Sequence, residues 1–248
     1  MLRLTRNYSI ASLVGIALVA IALGFFYRTI AVRSLMEHET LTNVSIAQSL
    51  SNSLWPTYAD FVARAASIPQ QELASRPEIR DLRKDVLLNI RGLRVVKVKV
   101  YDKDGLTVYS TNPAQIGEKK EDNFGLQKAR AGEIASDLVF RDRFSLSEQV
   151  ITNRNLLSSY IPIRTSPEGP VEGVFEIYSD VTPLVAAIER SEYNVFGVVT
   201  FLLLLLYYFL LTIVRRADRI IRSHENVERH AQAEHIHYMA YHDPLTGL

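Results

Sequence analysis

Two lysines and several tyrosines are the residues best suited to bind a small molecule. Lys97, Lys99 and Tyr101 alternate with valines in the segment VVKVKVYDKDGLTVYS, so their side chains share one face of a predicted strand. Ammonium and hydroxyl groups donate the hydrogen bonds that satisfy carboxylate oxygens. The chemistry of this face therefore suits a carboxylate-bearing ligand.

A second interpretation of the lysines stays open. Lys97 and Lys99 would then point to water from a half-exposed sheet, with Glu176 as a cross-strand partner. In that case the alternation marks only the outer side of a strand, and the ligand contacts lie elsewhere.

The sequence offers no catalytic or metal-binding constellation. There are no cysteines, which excludes thiolate metal sites and a cysteine nucleophile. Neighbouring histidines among the last five are six, five, two and five residues apart, so none share the three- or four-residue spacing of ligands on one helix face. A net charge of +1 gives no reason to expect a nucleic-acid partner. The five are His224, His230, His235, His237 and His242.

Two uncharged apolar segments are long enough to cross a membrane. Residues 10–27 read IASLVGIALVAIALGFFY, and residues 193–214 contain VFGVVTFLLLLLYYFLLTIV. A hydrocarbon core of about 30 Å requires about 20 apolar residues in a helix. A cleaved signal peptide with ALG at residues 22–24 is the alternative for the first segment, but its apolar run continues to Tyr27.

Basic residues indicate the orientation of the second span. Four arginines follow it, whereas the charged residues just before it are net acidic. Cytoplasmic flanks carry an excess of Lys and Arg, so we expect the C-terminal side to be cytoplasmic. With two spans, residues 1–9 are cytoplasmic too, and residues 28–192 form an exported domain. The four arginines are Arg215, Arg216, Arg219 and Arg222.

The exported domain begins with helical patterns. Apolar residues from Leu41 to Ala65 recur mostly at three- and four-residue steps, which predicts a long helix with a kink or a restart at Pro56. Shorter helical pieces, broken at Pro69 and Pro77, are expected through Leu88.

Strand patterns follow the helices. Residues 95–110 predict a hairpin whose turn is Asp104-Gly105, and NLLSSYIPIR and VEGVFEIYSDVT predict two more strands joined across TSPEGP. A long helix followed by an antiparallel sheet indicates an α+β fold.

The segments KVYDKDGLTVYSTNPAQIGE and YIPIRTSPEGPVEGVFEIYSDVT resemble Cache sensor domains, which are PAS-like extracytoplasmic modules of bacterial receptors. The order of span, long helix, hairpin, paired strands and second span matches as well. Over residues 28–192 the resemblance implies a single-Cache domain, periplasmic or extracellular, in a protein of the bacterial inner (plasma) membrane. It also implies a small-molecule ligand held between one sheet face and a lid of loops. The polar lining of this site would be the face of Lys97, Lys99 and Tyr101, with Tyr109, Tyr160 and Tyr178.

Asp180 has two interpretations. In some Cache domains the Asp of the DVT ending contacts the ligand, and the resemblance makes Asp180 a candidate for that role. Alternatively, Thr182-Pro183 begins a helix, and Asp180 or Thr182 caps its free amides.

Residues 215–242 predict a cytoplasmic signalling helix. Selected positions from Ile213 to Tyr241 step by alternating four and three residues, which is a heptad seam. His224, Glu234 and small alanines weaken the seam, and such a seam suits signalling because two packings of similar free energy are easily biased. We expect a parallel homodimeric coiled coil; a single amphipathic helix along the membrane is the alternative.

The last residues, DPLTGL, resemble the D-x-L-T-G-L leader of GGDEF domains. Asp243, Leu245, Thr246, Gly247 and Leu248 match this leader for as far as the sequence runs. The resemblance implies a diguanylate cyclase domain beyond Leu248, using Mg²⁺ and GTP, with or without an EAL domain. Within the 248 residues no catalytic residue, cofactor or metal ligand is expected.

The sequence therefore predicts a transmembrane sensor whose dimeric helix passes a ligand signal to a GGDEF domain. A stand-alone binding module is one alternative, and the sensor part of a histidine kinase or chemoreceptor is another. His242 is a poor match to a kinase phosphoacceptor motif, because Pro244 stands two residues after it rather than five. The HAMP module and glutamate-rich hairpin of a chemoreceptor are not found in the sequence.

Overall fold

The computed structural model describes the backbone of residues 2–120, 122–145, 150–166 and 168–241. Side chains are described within residues 9–120, 122–144, 152–166 and 168–217. The chain divides into two compact units. One comprises Met1–Tyr27 and Ser191–Leu248, and the other comprises Arg28–Arg190.

Two long helices begin and end the described chain. Helix α1 spans Leu2–Arg64 and helix α5 spans Thr182–Tyr241. Helix α1 continues through Pro56, so the predicted restart there is wrong. Leu54 and Trp55 are buried on the N-terminal side of Pro56, and this packing outweighs the hydrogen bond that the proline removes.

Three shorter helices lie in the Arg28–Arg190 unit. Helix α2 spans Gln70–Leu73 and helix α3 spans Pro77–Asn89, which confirms the predicted breaks at the two prolines. Proline suits the first turn of α3, where its missing N–H is not needed. Helix α4 spans Phe124–Arg130, and the Asn123 side chain caps it by accepting a hydrogen bond from the Leu126 amide.

A five-stranded antiparallel sheet forms the centre of the unit, with strand order β2-β1-β5-β4-β3. Together with the long helix, this confirms the α+β fold, but β3 was not predicted. As an edge strand, β3 carries many charged residues and shows little apolar alternation. The strands are β1 (Val95–Asp102), β2 (Thr107–Ser110), β3 (Ala135–Ser145), β4 (Val150–Ile163) and β5 (Gly173–Asp180).

The predicted hairpin is confirmed. Gly105 adopts a φ of +90°, which a residue with a side chain rarely adopts. One carboxylate oxygen of Asp102 accepts hydrogen bonds from the amides of Asp104 and Leu106, at 2.9 and 2.8 Å. Local turn chemistry therefore fixes the register of β1 against β2.

One face of the sheet packs on α1 through apolar side chains. Val98, Val100 and Phe175 join Leu50 and Leu54 of α1 in the largest hydrophobic cluster of the unit. The neighbouring residues of these strands point to the other face, because side chains alternate along a strand.

A polar contact also links α1 to the sheet. Asn43 of α1 is fully buried and donates a hydrogen bond to the Ser159 hydroxyl at 2.9 Å, while it accepts one from Ser179 at 2.6 Å. Ser136 on β3 in turn donates to Ser159 at 2.8 Å. This network therefore joins α1 to strands β3, β4 and β5.

The other unit contains two apolar helical segments. Two helices are apolar and long enough to cross a membrane, over Ser9–Ser67 and Thr182–Ala217, although length and composition alone support this. Within the unit, the Tyr27 hydroxyl donates to Ser191 at 2.7 Å, and Ser9 hydrogen-bonds Tyr207.

Several predictions concern residues outside this description. The heptad seam from Ile220 to Tyr241 and the five histidines fall outside the described side chains. The leader residues Asp243, Leu245, Thr246, Gly247 and Leu248 lie outside the described residues altogether. The coiled coil, the homodimer and the cytoplasmic termini therefore stay predictions.

Candidate functional site

The sheet face that points away from α1 carries a set of buried polar and charged side chains. The strand register pairs Lys99 with Glu176, Lys97 with Tyr178, and Tyr160 with Glu176. Lys97, Lys99 and Glu176 are only 4%, 5% and 1% exposed, so the interpretation that the two lysines point to water is wrong. The cross-strand pairing of Lys99 with Glu176 is confirmed. We call this set the Glu176 cluster: Lys97, Lys99, Tyr101, Ser158, Tyr160, Glu176 and Tyr178.

Glu176 accepts contacts on both of its carboxylate oxygens. Oε2 lies 3.1 Å from the Lys99 ammonium and accepts a 2.6 Å hydrogen bond from the Tyr101 hydroxyl. Oε1 accepts from the Tyr178 hydroxyl at 2.5 Å and from Ser158 at 3.4 Å. The Tyr160 hydroxyl is a further hydrogen-bond neighbour. A carboxylate has about four acceptor positions, so those of Glu176 are occupied.

The electrostatics fix the protonation state of the cluster. Burial raises the pKa of Glu176, but Lys99 and the tyrosine hydroxyls outweigh burial and hold that pKa below its usual range. Burial, followed by the Glu176 charge, raises the pKa values of Tyr101, Tyr160 and Tyr178 far above normal. Glu176 is therefore an ionised acceptor, and the tyrosines are neutral donors.

Lys97 adds a second positive charge to the cluster. Its ammonium lies 3.2 Å from the Gln115 side-chain oxygen and 4.1 Å from the centre of the Phe144 ring. Burial, and then the charge of Lys99, lowers the pKa of Lys97 to about 8. Because no described carboxylate forms an ion pair with Lys97, the cluster carries two cations and one anion at neutral pH.

A cavity of about 310 Å³ lies beside the cluster; we call it the Tyr160 cavity. Tyr160, Tyr178 and Ser158 contribute its inner wall. The other lining residues come from β3 and the start of α4, and are Asn123, Phe124, Gly125, Ala135, Ser136, Asp137, Val139 and Arg141.

Gly125 allows α4 to lie close to the sheet. A Cβ atom at this position would stand 2.5 Å from Cδ2 of the Tyr160 ring, which is shorter than any normal contact. Asn123, just before α4, donates to the Tyr160 hydroxyl at 2.9 Å. The start of α4 therefore holds the Tyr160 ring in place.

The predicted ligand residues occupy different positions relative to the cavity. Tyr160 and Tyr178 line it, whereas Lys97, Lys99 and Tyr101 belong to the cluster but do not line it. Tyr109 does not share their face, so its predicted place is wrong. It pairs with Val100, is fully buried in the hydrophobic cluster with α1, and its hydroxyl has no partner among the described residues.

Asp180 lies at the start of α5 and does not line the cavity. Its Oδ1 accepts a 2.9 Å hydrogen bond from the Thr182 amide, and its Oδ2 lies 3.2 Å from Arg154. The predicted capping role is therefore confirmed. A ligand contact by Asp180, and by the other candidates, stays a prediction.

Sequence reasoning missed Arg141 and Asp137. Both lie on β3 and line the cavity, and Arg141 forms no hydrogen bond or ion pair with a described residue. Asp137, Val139 and Arg141 are spaced two apart, which is the period of one strand face. This two-residue spacing is present in the sequence, but the charged residues of β3 interrupt the apolar alternation by which a strand is usually predicted.

A second cavity, of about 320 Å³, lies between α1 and the end of β4. Its polar lining includes Gln48, Asn52 and Arg164, above apolar residues such as Ile163 and Phe175. No residue of the Glu176 cluster contributes to it. The described residues also contain no group of His, Asp and Glu side chains that could hold a metal ion.

Comparisons with known proteins gave structural similarities only. No family model matches the chain, and no curated protein matches it. Among solved structures, it is similar to the sensor domain of the histidine kinase DctB from V. cholerae, at 16% identity and a TM-score of 0.33. The chain is also similar to the E. coli DcuS sensor domain, at 18% identity and a TM-score of 0.30. A third similar structure is a domain of a sensory box/GGDEF family protein from Vibrio parahaemolyticus, at 13% identity and a TM-score of 0.31.

The three similarities cover 62%, 55% and 62% of this chain, in the same order. They extend over 59% of the DctB domain, 97% of the DcuS domain and 64% of the sensory box domain.

Proposed function

We propose that the Arg28–Arg190 unit is an extracytoplasmic sensor that binds a small carboxylate-bearing molecule in the Tyr160 cavity. The observation that carries this proposal is Arg141, a cation without a described protein partner that lines a cavity of about 310 Å³. Cavities of this size suit small ligands, and a guanidinium binds a carboxylate through two parallel hydrogen bonds.

The charge balance of the site supports an anionic group on the ligand. Lys99 is paired with Glu176, but Lys97 is not paired with a described carboxylate. Its charge lies near the Tyr178 ring, which lines the cavity, at 5.8 Å from the ring centre. A bound carboxylate offsets this positive charge, and the low dielectric of the interior strengthens the attraction.

The proposed output is a diguanylate cyclase domain that follows residue 248. The resemblance of residues 243–248 to the GGDEF leader supports this choice, and the helix from Thr182 to Tyr241 supplies a continuous connection from the sensor unit. A ligand that shifts the packing of two such helices by about 1–3 kcal/mol is sufficient for a clear switch. The cyclase chemistry, with Mg²⁺ and GTP, belongs to that domain.

Ligand binding can be tested on the full chain in lipid nanodiscs by calorimetric titration with small carboxylates. We expect Arg141→Gln to weaken binding on the order of tenfold, because a charge-assisted hydrogen-bond pair is lost. Arg143→Gln is the matched control, since Arg143 is exposed on the same strand and does not line the cavity. Equal effects of the two substitutions, or no binding at all, contradict the proposal.

The output can be tested on the gene. An in-frame P-N-R after Leu248, followed by a GGDEF motif, is expected in the coding DNA. The full-length product is then expected to change cellular cyclic di-GMP when the bound carboxylate is supplied. A stop codon directly after Leu248 favours the stand-alone binding module.

A further inference from the structure

The end of strand β4 has a sheet neighbour on one side only. Strand β3 pairs with β4 as far as Tyr160, whereas β5 pairs with it as far as Ile163. The chain just before β3 does not extend the pairing, because the amides of Ala131, Gly132 and Glu133 donate to carbonyls of α4. The residues of β4 after Tyr160 therefore form a short free edge of the sheet.

The pairing with β5 shows which backbone groups face the free edge. The Ile163 carbonyl accepts from the Glu172 amide at 2.9 Å, so the backbone groups of Ile163 face β5. Hydrogen-bonding directions alternate along an antiparallel strand, so the Pro162 carbonyl and the Arg164 N–H face the free edge. The Arg164 amide makes no hydrogen bond with a described residue. A proline at position 162 fits, since it has no N–H to leave unpaired.

The second cavity, of about 320 Å³, lies against this free edge. Pro162 and Arg164 line it, and Gln48 and Asn52 of α1 are exposed on its other side, so it opens to solvent beside them. Arg164 is the only charged residue of the described lining, and its guanidinium donates to the Gly169 carbonyl at 3.0 Å. The buried part of the lining is apolar and comprises Ala47, Ile161, Ile163 and Phe175.

These features match the chemistry of a peptide backbone. The N–H and C=O of one residue in an extended peptide point to the same side, so one residue can donate to the Pro162 carbonyl and accept from the Arg164 amide. We propose that the second cavity binds a short extended peptide that adds to the free edge of β4 and has an apolar central residue. In this mode main-chain hydrogen bonds supply affinity, and the apolar lining selects the side chain.

The inference does not rest on the proposed function, because the second cavity and the Tyr160 cavity share no lining residue. It assigns a further site to the opposite face of the sheet.

Trp55 is placed to report binding at this site. It follows Ser51, which lines the cavity, by about one helical turn, and its indole N–H donates to Glu172 at 2.5 Å. Thr165 also lines the cavity and donates to the other carboxylate oxygen of Glu172 at 2.7 Å. Because Trp55 is the only tryptophan in the sequence, we expect a bound peptide to change the fluorescence of the chain.

Three matched peptides test the inference on the full chain in nanodiscs, by calorimetry and by Trp55 fluorescence. The first is acetyl-Ala-Val-Ala-amide, which is expected to bind. In the second, N-methylvaline removes the N–H that pairs with the Pro162 carbonyl, and we expect binding to weaken on the order of tenfold. In the third, aspartate replaces valine and is expected to weaken binding as well, because the apolar lining does not solvate a charge. Equal binding of all three peptides, or binding of none, overturns the inference.

A pair of serine variants locates the peptide. Ser51→Leu fills part of the cavity and is expected to abolish binding of the valine peptide, whereas Ser53→Leu lies on the same helix outside the lining and is expected to leave it unchanged. Arg141→Gln is also expected to leave it unchanged, although that substitution weakens carboxylate binding. If Arg141→Gln abolishes peptide binding and Ser51→Leu does not, the peptide occupies the Tyr160 cavity and the inference fails while the proposed function stands.

A second copy of the chain is the competing occupant. The sequence has no cysteine, so Gln48→Cys can form a disulfide only with another copy. We expect the valine peptide to slow any such disulfide formation under mild oxidation. A disulfide that forms at the same rate with and without the peptide shows that a second copy covers the opening, and it overturns the inference even if Ser51→Leu fails to fold.

Discussion

Glu176 is the residue on which the polar face of the sheet depends. It is buried to 1% exposure, and Lys99, Tyr101, Tyr178 and Ser158 all contact its carboxylate. Removing one member of a buried ion pair costs about 3–5 kcal/mol, whereas replacing both members by apolar groups often costs little. The stability of the unit is therefore sensitive to either charge alone.

We expect Glu176→Leu to destabilise the Arg28–Arg190 unit by about 3–5 kcal/mol, because Lys99 loses its partner. Lys99→Met combined with Glu176→Leu is expected to recover most of that loss. Trp55 is the only tryptophan in the sequence and packs in the core of this unit, so its fluorescence during denaturation reports the unit alone. A double variant as unstable as the single one contradicts the ion-pair account.

Lys97 makes the stability of the unit depend on pH. Its pKa is about 8 in the folded chain, whereas the ordinary pKa of a lysine exposed to water is 10.5, so the unfolded chain binds more protons between these pH values. Unfolding free energy gains a positive slope from Lys97 over that window. The penalty for burying the ammonium is complete below pH 8 and is lost as pH approaches 10.5.

Lys97→Met is therefore expected to stabilise the unit at pH 7, on the order of 2 kcal/mol, with the gain shrinking toward pH 10. The measurement is urea denaturation followed by Trp55 fluorescence, for the unaltered protein and for the variant, at several pH values. The difference in unfolding free energy between the two proteins is free of the titration of the tyrosines, because that titration is common to both. A difference that does not change with pH contradicts the assignment.

At the scale of elements, Asn43 connects the long helix to the sheet. It bonds Ser159 and Ser179, and Ser159 accepts from Ser136, which lines the Tyr160 cavity. The cavity wall and helix α1 are thus joined by a short chain of hydrogen bonds. These hydrogen bonds link the cavity wall to helix α1 physically. A measured coupling energy between the two is needed to establish that the link transmits a signal.

Asn43→Leu is expected to cost about 2–3 kcal/mol, because two serine hydroxyls lose a buried partner. Asn52→Leu on the same helix is the control, since Asn52 is exposed and its replacement is expected to change stability by less than about 0.5 kcal/mol. Urea denaturation followed by Trp55 fluorescence compares the two. Similar costs for both variants contradict the role given to the network.

The sequence predicted those elements whose signals are local. The β1–β2 hairpin follows from Asp104-Gly105, and the helix breaks follow from Pro69 and Pro77. Strand β3 was missed because its pairing with β4, rather than an apolar pattern, defines it. At Pro56, the alternative of a helix restart was wrong because tertiary packing decides whether a helix continues through a proline.

The candidate site was only partly predictable for the same reason. Alternation placed Lys97, Lys99 and Tyr101 on one face, but it did not reveal that the lysines are buried against Glu176 and the aromatic rings. It also did not reveal the opposite orientation of Tyr109, which depends on the register between β1 and β2. Arg141 required knowledge of β3.

At the scale of the whole molecule, the predicted topology has residues 28–192 outside and both termini inside. The chain has no cysteine, so a single introduced cysteine reports its own location. We expect a membrane-impermeant maleimide to label Glu133→Cys on intact spheroplasts. Ser223→Cys is expected to react only after the membrane is permeabilised. The reverse pattern, or labelling of both sites in intact spheroplasts, contradicts the topology.

Gly125 has a consequence for the shape of the Tyr160 cavity. The absence of one methyl group leaves room for the Tyr160 ring, and the ring is part of the wall of the Tyr160 cavity. A substitution to alanine forces the ring or α4 to shift, and so alters the shape of the cavity. The same shift moves the Tyr160 hydroxyl relative to Asn123 and Glu176, so in the proposed sensor one added methyl group changes both the room for a ligand and the hydrogen bonds beside it.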